Sequence, residues 1–326
     1  MKSDQYSPAS FRVALAYYDS AMTNWSAQNE KLIFLRRYDD VISFANKSEE
    51  YSVMAMDQAR LNSASIKDRL ETRMRELKKI VESLGELFVR YPIPSEVRNR
   101  LTRGRLLLSE AEVAFENSSF LQANRKITDA DHLIRYSLDY AVKSLEEYFT
   151  SYKHWKVWLD RTVEESRVKK IPVIIVDKIA GKCYLYNKGV KTGEFDAEFG
   201  PQWIGDKRHR GDRATPEGIY HVTRKLEGAS TKYYKALLIN YPNEDDQNRF
   251  RAEIRDGSLP SSAKIGGLIE IHGHGGKGRD WTDGCVALTD RDMDILFRQV
   301  RVGTPVTIIG SVSAPEEVMR RINEVR

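Results

Sequence analysis

A histidine and a cysteine lie on either side of the most glycine-rich stretch of this 326-residue sequence, with His272 thirteen positions before Cys285. A free cysteine thiol has a pKa of about 8.5, so only a few per cent of it is thiolate at neutral pH. A histidine within hydrogen-bond reach can take the thiol proton. The thiolate can then attack a carbonyl group to form an acyl-enzyme, which an amine or water resolves. The two residues therefore predict a nucleophile and its base.

The residues immediately before Cys285 are suited to stabilising the oxyanion of such a reaction. Backbone N–H groups at Asp283, Gly284 and Cys285 are candidate donors, because a glycine lets the chain approach a substrate closely. His274 competes with His272 for the role of base, but it would point to the opposite side of an extended chain. We therefore predict that His272 is the base and that His274 is a loop residue on the substrate side.

Two regular elements are predicted to hold this loop. A β-strand over residues 268–271 leads into His272. After the cysteine, Thr289 and Asp292 form a helix-capping pair. Four apolar residues at helical spacing then predict a buried face: Met293, Leu296, Phe297 and Val300. Cys285 should therefore be fixed between a strand and a helix, as a nucleophile needs to be.

A metal site is the competing interpretation of this segment. His272, His274, Asp283 and Cys285 are all residue types that bind zinc. Their spacing does not match a standard zinc-binding pattern. We therefore predict that the protein needs neither a metal nor another cofactor.

Several segments resemble the L,D-transpeptidases of the YkuD fold. The resemblance rests mainly on residues 271–273, which read Ile-His-Gly, and on residues 282–288, which read Thr-Asp-Gly-Cys-Val-Ala-Leu. They look most like the branch in which Asp-Trp-Thr-x-Gly-Cys-[IV]-Ala-Leu forms the active-site motif. Residues 211–220 are similar to the Thr-Pro-x-Gly segment of the family, and 239–243 to a Tyr-Pro-Asn segment. The resemblance covers roughly residues 170–310, in the family's order.

The resemblance implies a fold and a reaction. It makes Cys285 the nucleophile and His272 the base of a mainly-β, sandwich-like domain that acts on the peptide stem of peptidoglycan. Family members are typically acylated by carbapenems and need no metal. Two departures concern the acceptor side: Asp283 replaces a histidine of the commoner pattern, and the His–Cys spacing is shorter. Transferase and hydrolase activity both stay open.

Other residues of these segments are predicted to contact the substrate. Arg279, inside the loop, is the best candidate for a carboxylate contact. Trp281 either forms the floor of the pocket or anchors the loop in the core. Gly273, His274 and Tyr241 complete the predicted substrate-binding set. The basic run 207–210 is expected to be a solvated loop, part of which could steer carboxylates.

Glycine content divides the chain in two. Only Gly85 and Gly104 precede residue 166, and the other eighteen of the 20 glycines follow it. Apolar residues at spacings of three and four predict long helices in the first part. One such stripe is Ile66, Leu70, Met74, Leu77, Val81, Leu84 and Phe88. We predict an all-α bundle of three or four long helices over 1–167, the mainly-β catalytic domain over 168–312 and a helical tail over 313–326.

Composition limits the partners and the compartment. The net charge of +5 lies wholly in the second half, and it is too small to indicate nucleic-acid binding. Residues 1–25 lack the apolar core of a signal peptide, and no apolar run is long enough to cross a membrane. Because peptidoglycan lies outside the cytoplasmic membrane, we predict an extracytoplasmic protein with an export signal or anchor upstream of Met1. Cys183, in a predicted hairpin strand, is expected to be a packing residue, although reversible pairing with Cys285 is an alternative.

The leading functional hypothesis is a transpeptidase of cell-wall biogenesis and cell shape. It would form 3–3 cross-links or attach a protein to the wall. The second hypothesis resolves the same acyl-enzyme with water, giving an L,D-carboxypeptidase or an amidase that releases wall-linked protein. The third is a non-catalytic, wall-binding scaffold. The helical domain is predicted to be an interaction or spacing module for a wall-linked protein or the cell-wall machinery.

Overall fold

The structure is a computed structural model that describes residues 2–88 and 91–324. The N-terminal half is helical, as predicted. Its α-helices are α1 (Ser3–Tyr6), α2 (Pro8–Asn29), α3 (Asp39–Phe88), α4 (Ser95–Glu116), α5 (Phe120–Tyr148) and α6 (Tyr152–Lys169). Five of these helices have 18 residues or more, so the prediction of three or four long helices was too low. The predicted stripe on α3 is buried at Leu70, Leu77 and Leu84, whereas the side chain of Phe88 lies outside the described residues.

The C-terminal half is built on one mixed sheet of eight strands. The strands are β1 (Pro172–Asp177), β2 (Lys182–Asn187), β3 (Val190–Asp196), β4 (Gly218–Glu227), β5 (Lys235–Ile239), β6 (Glu270–His272), β7 (Val286–Ala287) and β8 (Pro305–Ile309). Three helices accompany them: α7 (Glu244–Arg255), α8 (Asp290–Gln299) and α9 (Pro315–Asn323). The predicted fold class, a helical region followed by a mainly-β domain, is confirmed.

The sheet curls until its two edges meet. Its strand order is β3-β2-β1-β8-β4-β5-β6-β7, with parallel pairing between β1 and β8 and between β6 and β7. Strand β4 bridges the two parts of the sheet, because 218–221 pair with β8 and the residues after a bulge at Val222 pair with β5. An antiparallel bridge between Glu198 and Ala287 links the chain beyond β3 to β7 at the other edge. The domain is therefore built on a single curled sheet, whereas the resemblance implied a sandwich-like arrangement.

Contacts divide the chain into two compact units whose limits differ from the change in secondary structure. One unit comprises Met1–Lys79 and Arg100–Ile134, and the other comprises Ile80–Asn99 and Arg135–Arg326. Helix α6 belongs to the second unit and packs on the sheet, where the Trp155 ring occupies the space beside Gly310. The domain limits at residues 167 and 312 stay a prediction.

A buried charged cluster ties α5 and α6 to the sheet within the second unit. The Glu217 carboxylate accepts hydrogen bonds from Tyr148 Oη (2.6 Å), Trp155 Nε1 (2.9 Å) and Lys178 Nζ (2.7 Å). The Lys178 ammonium is fully buried and also donates to two carbonyl oxygens, those of Gly205 and Thr215. A buried charge pair persists only when its remaining polar atoms are satisfied, as they are here. None of the helices in the described ranges is both long enough and apolar enough to span a membrane.

Candidate active site

The parallel pairing of β6 and β7 brings the predicted nucleophile and base onto neighbouring strands. Ile271 pairs with Val286, and His272 pairs with Ala287. Cys285 therefore lies one position before β7, beside Glu270, and the Glu270 N–H group points at Cys285 Sγ at 3.4 Å. The strand is shorter than predicted: Leu268 has a left-handed φ of +57° and is 76% exposed, because it forms the rim of the cleft instead of pairing in the sheet.

The Cys285 thiol lies in a cleft of about 540 Å³. Two segments, 230–233 and 267–270, form one wall, and 281–283 with the cysteine form the other. The thiol is partly buried, and its S–H group is 3.7 Å from the carbonyl oxygen of Leu268. Burial raises the pKa of the Cys285 thiol to about 11, with Glu270 raising and Lys232 lowering it through their charges. The resting cysteine is therefore a neutral thiol at physiological pH.

His272 is completely buried, and its two ring nitrogens have different environments. Nδ1 is 2.6 Å from the Gly273 carbonyl oxygen, which can only accept, so Nδ1 carries the proton. Nε2 is buried and has no hydrogen-bond partner in the part of the chain that the structure describes. Burial lowers the pKa of His272 to about 4. The imidazole is thus neutral, with the free lone pair of Nε2 available to accept a proton.

Aromatic rings fix the orientation of His272. The Tyr233 ring stacks on the imidazole, with centroids 3.5 Å apart and planes 8° apart. The Trp281 ring meets it edge-on at 6.0 Å. Both rings also line the cleft. The imidazole plane is therefore set before any substrate binds, as preorganised catalysis requires.

The Trp281 loop is fastened to the segment that follows β3. Glu198 accepts hydrogen bonds from Trp281 Nε1 and from the Gly278 N–H group, both at 2.7 Å. Asp280 accepts from the Phe199 N–H group at 2.7 Å. Trp281 therefore lines the cleft and is anchored at its nitrogen, so the two interpretations of this residue are compatible.

Gly284 takes a backbone conformation that other residues adopt with strain. Its φ is +120°, and an added Cβ would lie 2.6 Å from the Ala214 carbonyl oxygen. Its N–H group donates to Thr282 Oγ1 at 3.2 Å, so this amide is already engaged. The neighbouring amides of Asp283 and Cys285 are the better candidates for an oxyanion. The Asp283 side chain is 93% exposed, and its Oδ1 lies 3.9 Å from Arg213 Nε.

Replacing Gly284 with alanine is expected to lower the free energy of unfolding by about 2 kcal/mol or more, since φ strain and a backbone clash add together. Gly303→Ala is the matched control, because Gly303 also has a positive φ but nothing lies within 4 Å of its added Cβ. That control should lose about 1–2 kcal/mol. Denaturant unfolding of both variants measures the difference, and equal losses would contradict the clash at Gly284.

Four other predicted substrate-binding residues do not line the cleft. His274 is exposed and bonds to Asp290, with its N–H group 2.7 Å from Oδ1. Arg279 is exposed on the loop. Tyr241 is buried, and its hydroxyl lies 3.4 Å from the Ile265 carbonyl oxygen. Gly273 lies behind His272, where its carbonyl fixes the Nδ1 proton. Their roles as substrate contacts stay predictions.

Several residues that line the cleft were missed. Tyr233, Lys232 and Glu270 surround the thiol and the imidazole, and no local pattern in the sequence indicates them. Lys207, expected in a solvated loop, is instead buried, with Nζ 2.6 Å from Asp212 Oδ1. Its Nζ also lies 3.4 Å from the added Cβ position of Gly284 and 3.4 Å from the Ala214 carbonyl oxygen, so it lies close to the backbone that precedes Cys285.

The second cysteine is separate from this chemistry. Cys183 is fully buried in β2, and burial raises its pKa to about 12. Both cysteines are free thiols. The fully buried thiol of Cys183 is a weak nucleophile and behaves as a small apolar packing residue.

Comparison with known proteins agrees with the resemblance found in the sequence. Residues 171–308 match the YkuD family of L,D-transpeptidase catalytic domains. The putative L,D-transpeptidase YafK of Escherichia coli strain K12 is 33% identical over 98 residues, which are 30% of this chain and 32% of that protein. The chain therefore spans about a third of the length of this curated relative.

Comparison with solved structures finds proteins that are described as L,D-transpeptidases. One from Mycobacterium tuberculosis H37Rv is 16% identical, with a TM-score of 0.28 over 42% of this chain and 57% of that one. One from Xylanimonas cellulosilytica is 15% identical, with a TM-score of 0.30 over 43% and 60% of the two chains.

Proposed function

We propose that this chain is a peptidoglycan L,D-transpeptidase in which Cys285 is the nucleophile and His272 the general base. The family match over residues 171–308 supports the reaction class. The residue roles rest on the buried Nε2 of His272, which lies on the strand beside the cysteine and has no hydrogen-bond partner among the described residues. An unprotonated nitrogen without a partner is costly to bury, so its retention here fits a proton-accepting role.

In the proposed first half-reaction, Cys285 Sγ attacks the stem carbonyl that precedes the terminal residue. The S–C bond forms as the thiol proton passes to His272 Nε2, because a neutral thiol and a neutral imidazole must exchange the proton during attack. The amides of Asp283 and Cys285 donate to the oxyanion, a contribution typically worth about 3 kcal/mol per donor. His272 then gives its proton to the leaving amine, and a thioester remains.

In the second half-reaction, an amine of another stem attacks the thioester. His272 accepts a proton from this amine, the new amide bond forms, and the returning proton restores the Cys285 thiol. Water entering the same position would instead release a shortened stem. The cleft is open enough to admit an extended peptide, so an acceptor can approach the thioester.

Product analysis tests the reaction type. Purified protein is incubated with disaccharide-tetrapeptides, and the products are weighed by mass spectrometry. Cross-linked dimers that have lost the terminal residue are expected. Shortened stems without dimers would replace the transpeptidase with a hydrolase. The absence of any product would contradict action on free stems.

The proposal also places the protein in the cell envelope, because its substrate lies there. The helical unit would then hold the catalytic domain near a wall-linked protein or the cell-wall machinery. Localisation by fractionation of cells producing the complete natural protein tests the compartment. Recovery only with cytoplasmic markers would contradict it.

The pH dependence of kcat/KM should reveal the buried base. His272 must be neutral to accept the thiol proton, and its pKa is lowered to about 4. Activity should therefore stay constant as the pH falls from 8 to about 5 and decline only near that lowered pKa, instead of halving at the ordinary histidine pKa of about 6.5. Initial rates at low substrate concentration measure this profile. A half-maximal value near pH 6.5 would contradict a neutral, desolvated His272.

A further inference from the structure

The first two long helices form an antiparallel hairpin that buries mainly small residues. Ser48 Oγ donates to the Ala14 carbonyl oxygen at 2.9 Å, and Asn62 Nδ2 donates to the Tyr6 carbonyl oxygen at 2.8 Å. The buried residues of α2 are Ala14 and Ala21, and those of the facing part of α3 are Ala55 and Ala59. Alanine packing brings the helices close together but buries little apolar surface.

The large apolar side chains of the hairpin lie outside this seam. On α2 they recur at alternating spacings of four and three: Phe11, Leu15, Tyr18, Met22 and Trp25. Three more lie on the neighbouring side of α3: Ile42, Val53 and Met56. All eight are 39–57% exposed. We call this set the hairpin face; its spacing on α2 is that of a seam that packs against another helix.

A groove runs along the hairpin face between the two helices. It has a volume of about 480 Å³. Its lining residues are Tyr18, Ala21, Met22 and Trp25 from α2 and Val41, Ala45, Ser48, Glu49 and Ser52 from α3. Glu49 is the one charged residue lining the groove in the described chain. A concave, apolar groove between two helices fits the apolar stripe of a third helix.

The exposed area of the hairpin face matches what a dimer needs. Taking about 200 Å² for a large side chain, the eight residues expose together about 760 Å² of surface. Monomeric proteins rarely expose contiguous apolar patches larger than about 300–600 Å². A stable protein–protein interface buries about 800 Å² on each partner.

The charge pattern favours a protein partner over a lipid surface. At the tip of the hairpin, Lys31, Arg36 and Arg37 are balanced by Glu30 and by 39–40, which are both aspartates. Arg36 is also engaged, since it donates to the carbonyl oxygens of Lys31 and Asn29 at 3.0 Å. No net positive charge is left to attract anionic headgroups.

We propose that the hairpin face is a self-association surface, on which a second copy of this chain packs through a two-fold axis. The α2 stripe of each copy lies in the groove of the other, so that four helices share one apolar core. Such an interface is self-complementary, because the stripe and the groove belong to the same hairpin. The proposal is independent of the reaction at Cys285.

Light scattering after size-exclusion chromatography tests it on the full chain and two composition-matched variants. Leu15→Glu/Met22→Glu places charges on the hairpin face, and Leu61→Glu/Met54→Glu places the same charges on exposed residues of α3 about a third of a turn away from Ile42, Val53 and Met56. The natural chain and the second variant should have twice the 37.5 kDa chain mass. The first variant should be monomeric, with self-association weakened about 100-fold or more.

A third variant protects the test against misfolding of the first. Val53→Glu changes the face from the α3 side and should weaken the dimer while α2 is untouched; circular dichroism checks its helix content. A natural chain that is monomeric at every concentration overturns the proposal. Dimers that persist in both face variants overturn it too, as does a monomer that binds phosphatidylglycerol vesicles through the face.

Discussion

Replacement of Cys285 with alanine is expected to abolish acyl-enzyme formation and to lower turnover of stem peptides by about 10⁴-fold or more, since the proposed reaction has no second nucleophile. The variant should fold normally, because the thiol is partly exposed in an open cleft and only its contacts with Glu270 and Leu268 are lost. Turnover of disaccharide-tetrapeptides measures the effect.

Cys183→Ala is the matched control. The same substitution at the other cysteine removes a sulfur from the fully buried side of β2, outside the cleft. It should cost about 1 kcal/mol of stability and leave turnover within about twofold. If Cys183→Ala abolished turnover while Cys285→Ala retained it, the assignment of the nucleophile would be wrong.

Replacement of His272 with alanine is expected to lower kcat by about 10²–10⁴-fold, the usual contribution of a positioned general base. The Cys285 thiol has a pKa of about 11, so without a base almost none of it is thiolate at neutral pH. The residual rate of the variant should therefore rise with pH over the range where the wild-type rate is constant. Rates between pH 7 and 10 measure this difference.

The matched control is His221→Ala, which removes an exposed imidazole from β4. Its kcat and pH profile should equal those of the natural chain. Loss of the stacked imidazole also leaves a cavity beside Tyr233, so thermal unfolding should accompany the rate measurement. A His272→Ala variant that is folded and fully active would show that another group takes the proton.

The local parts of the site could be predicted from the sequence. Thr289 accepts the Asp292 N–H bond at the start of α8, and Met293, Leu296 and Phe297 are buried on one face, as the spacing predicted. These features depend on residues within one or two helical turns of each other. Cap and periodicity rules act over that range, so one sequence is enough to find them.

The rest depends on contacts between distant segments. Tyr233 stacks on His272 because β5 pairs with β6, and Glu198 holds Trp281 because the two edges of the sheet meet. No spacing rule links these positions. The basic run at 207–210 predicted a solvent-exposed loop. Lys207 is buried instead, because its Nζ contacts the Asp212 carboxylate and the Ala214 carbonyl oxygen.

The charge states of Cys285 and His272 also could not be predicted from the sequence. From the ordinary pKa of cysteine, a few per cent of the thiol would be thiolate at neutral pH. Burial raises the pKa of Cys285 and lowers that of His272, so both are neutral before the substrate binds. Desolvation disfavours every charged form, and its size depends on neighbours that only the fold supplies.

The most direct test of the central claim is intact-protein mass spectrometry of the chain mixed with a tetrapeptide stem and quenched in acid within one turnover. The account predicts a covalent adduct whose mass equals the stem without its terminal residue. Peptide mapping should locate it on Cys285, and Cys285→Ala should remove it. An adduct on any other residue, or continued product formation without any adduct, would contradict the account.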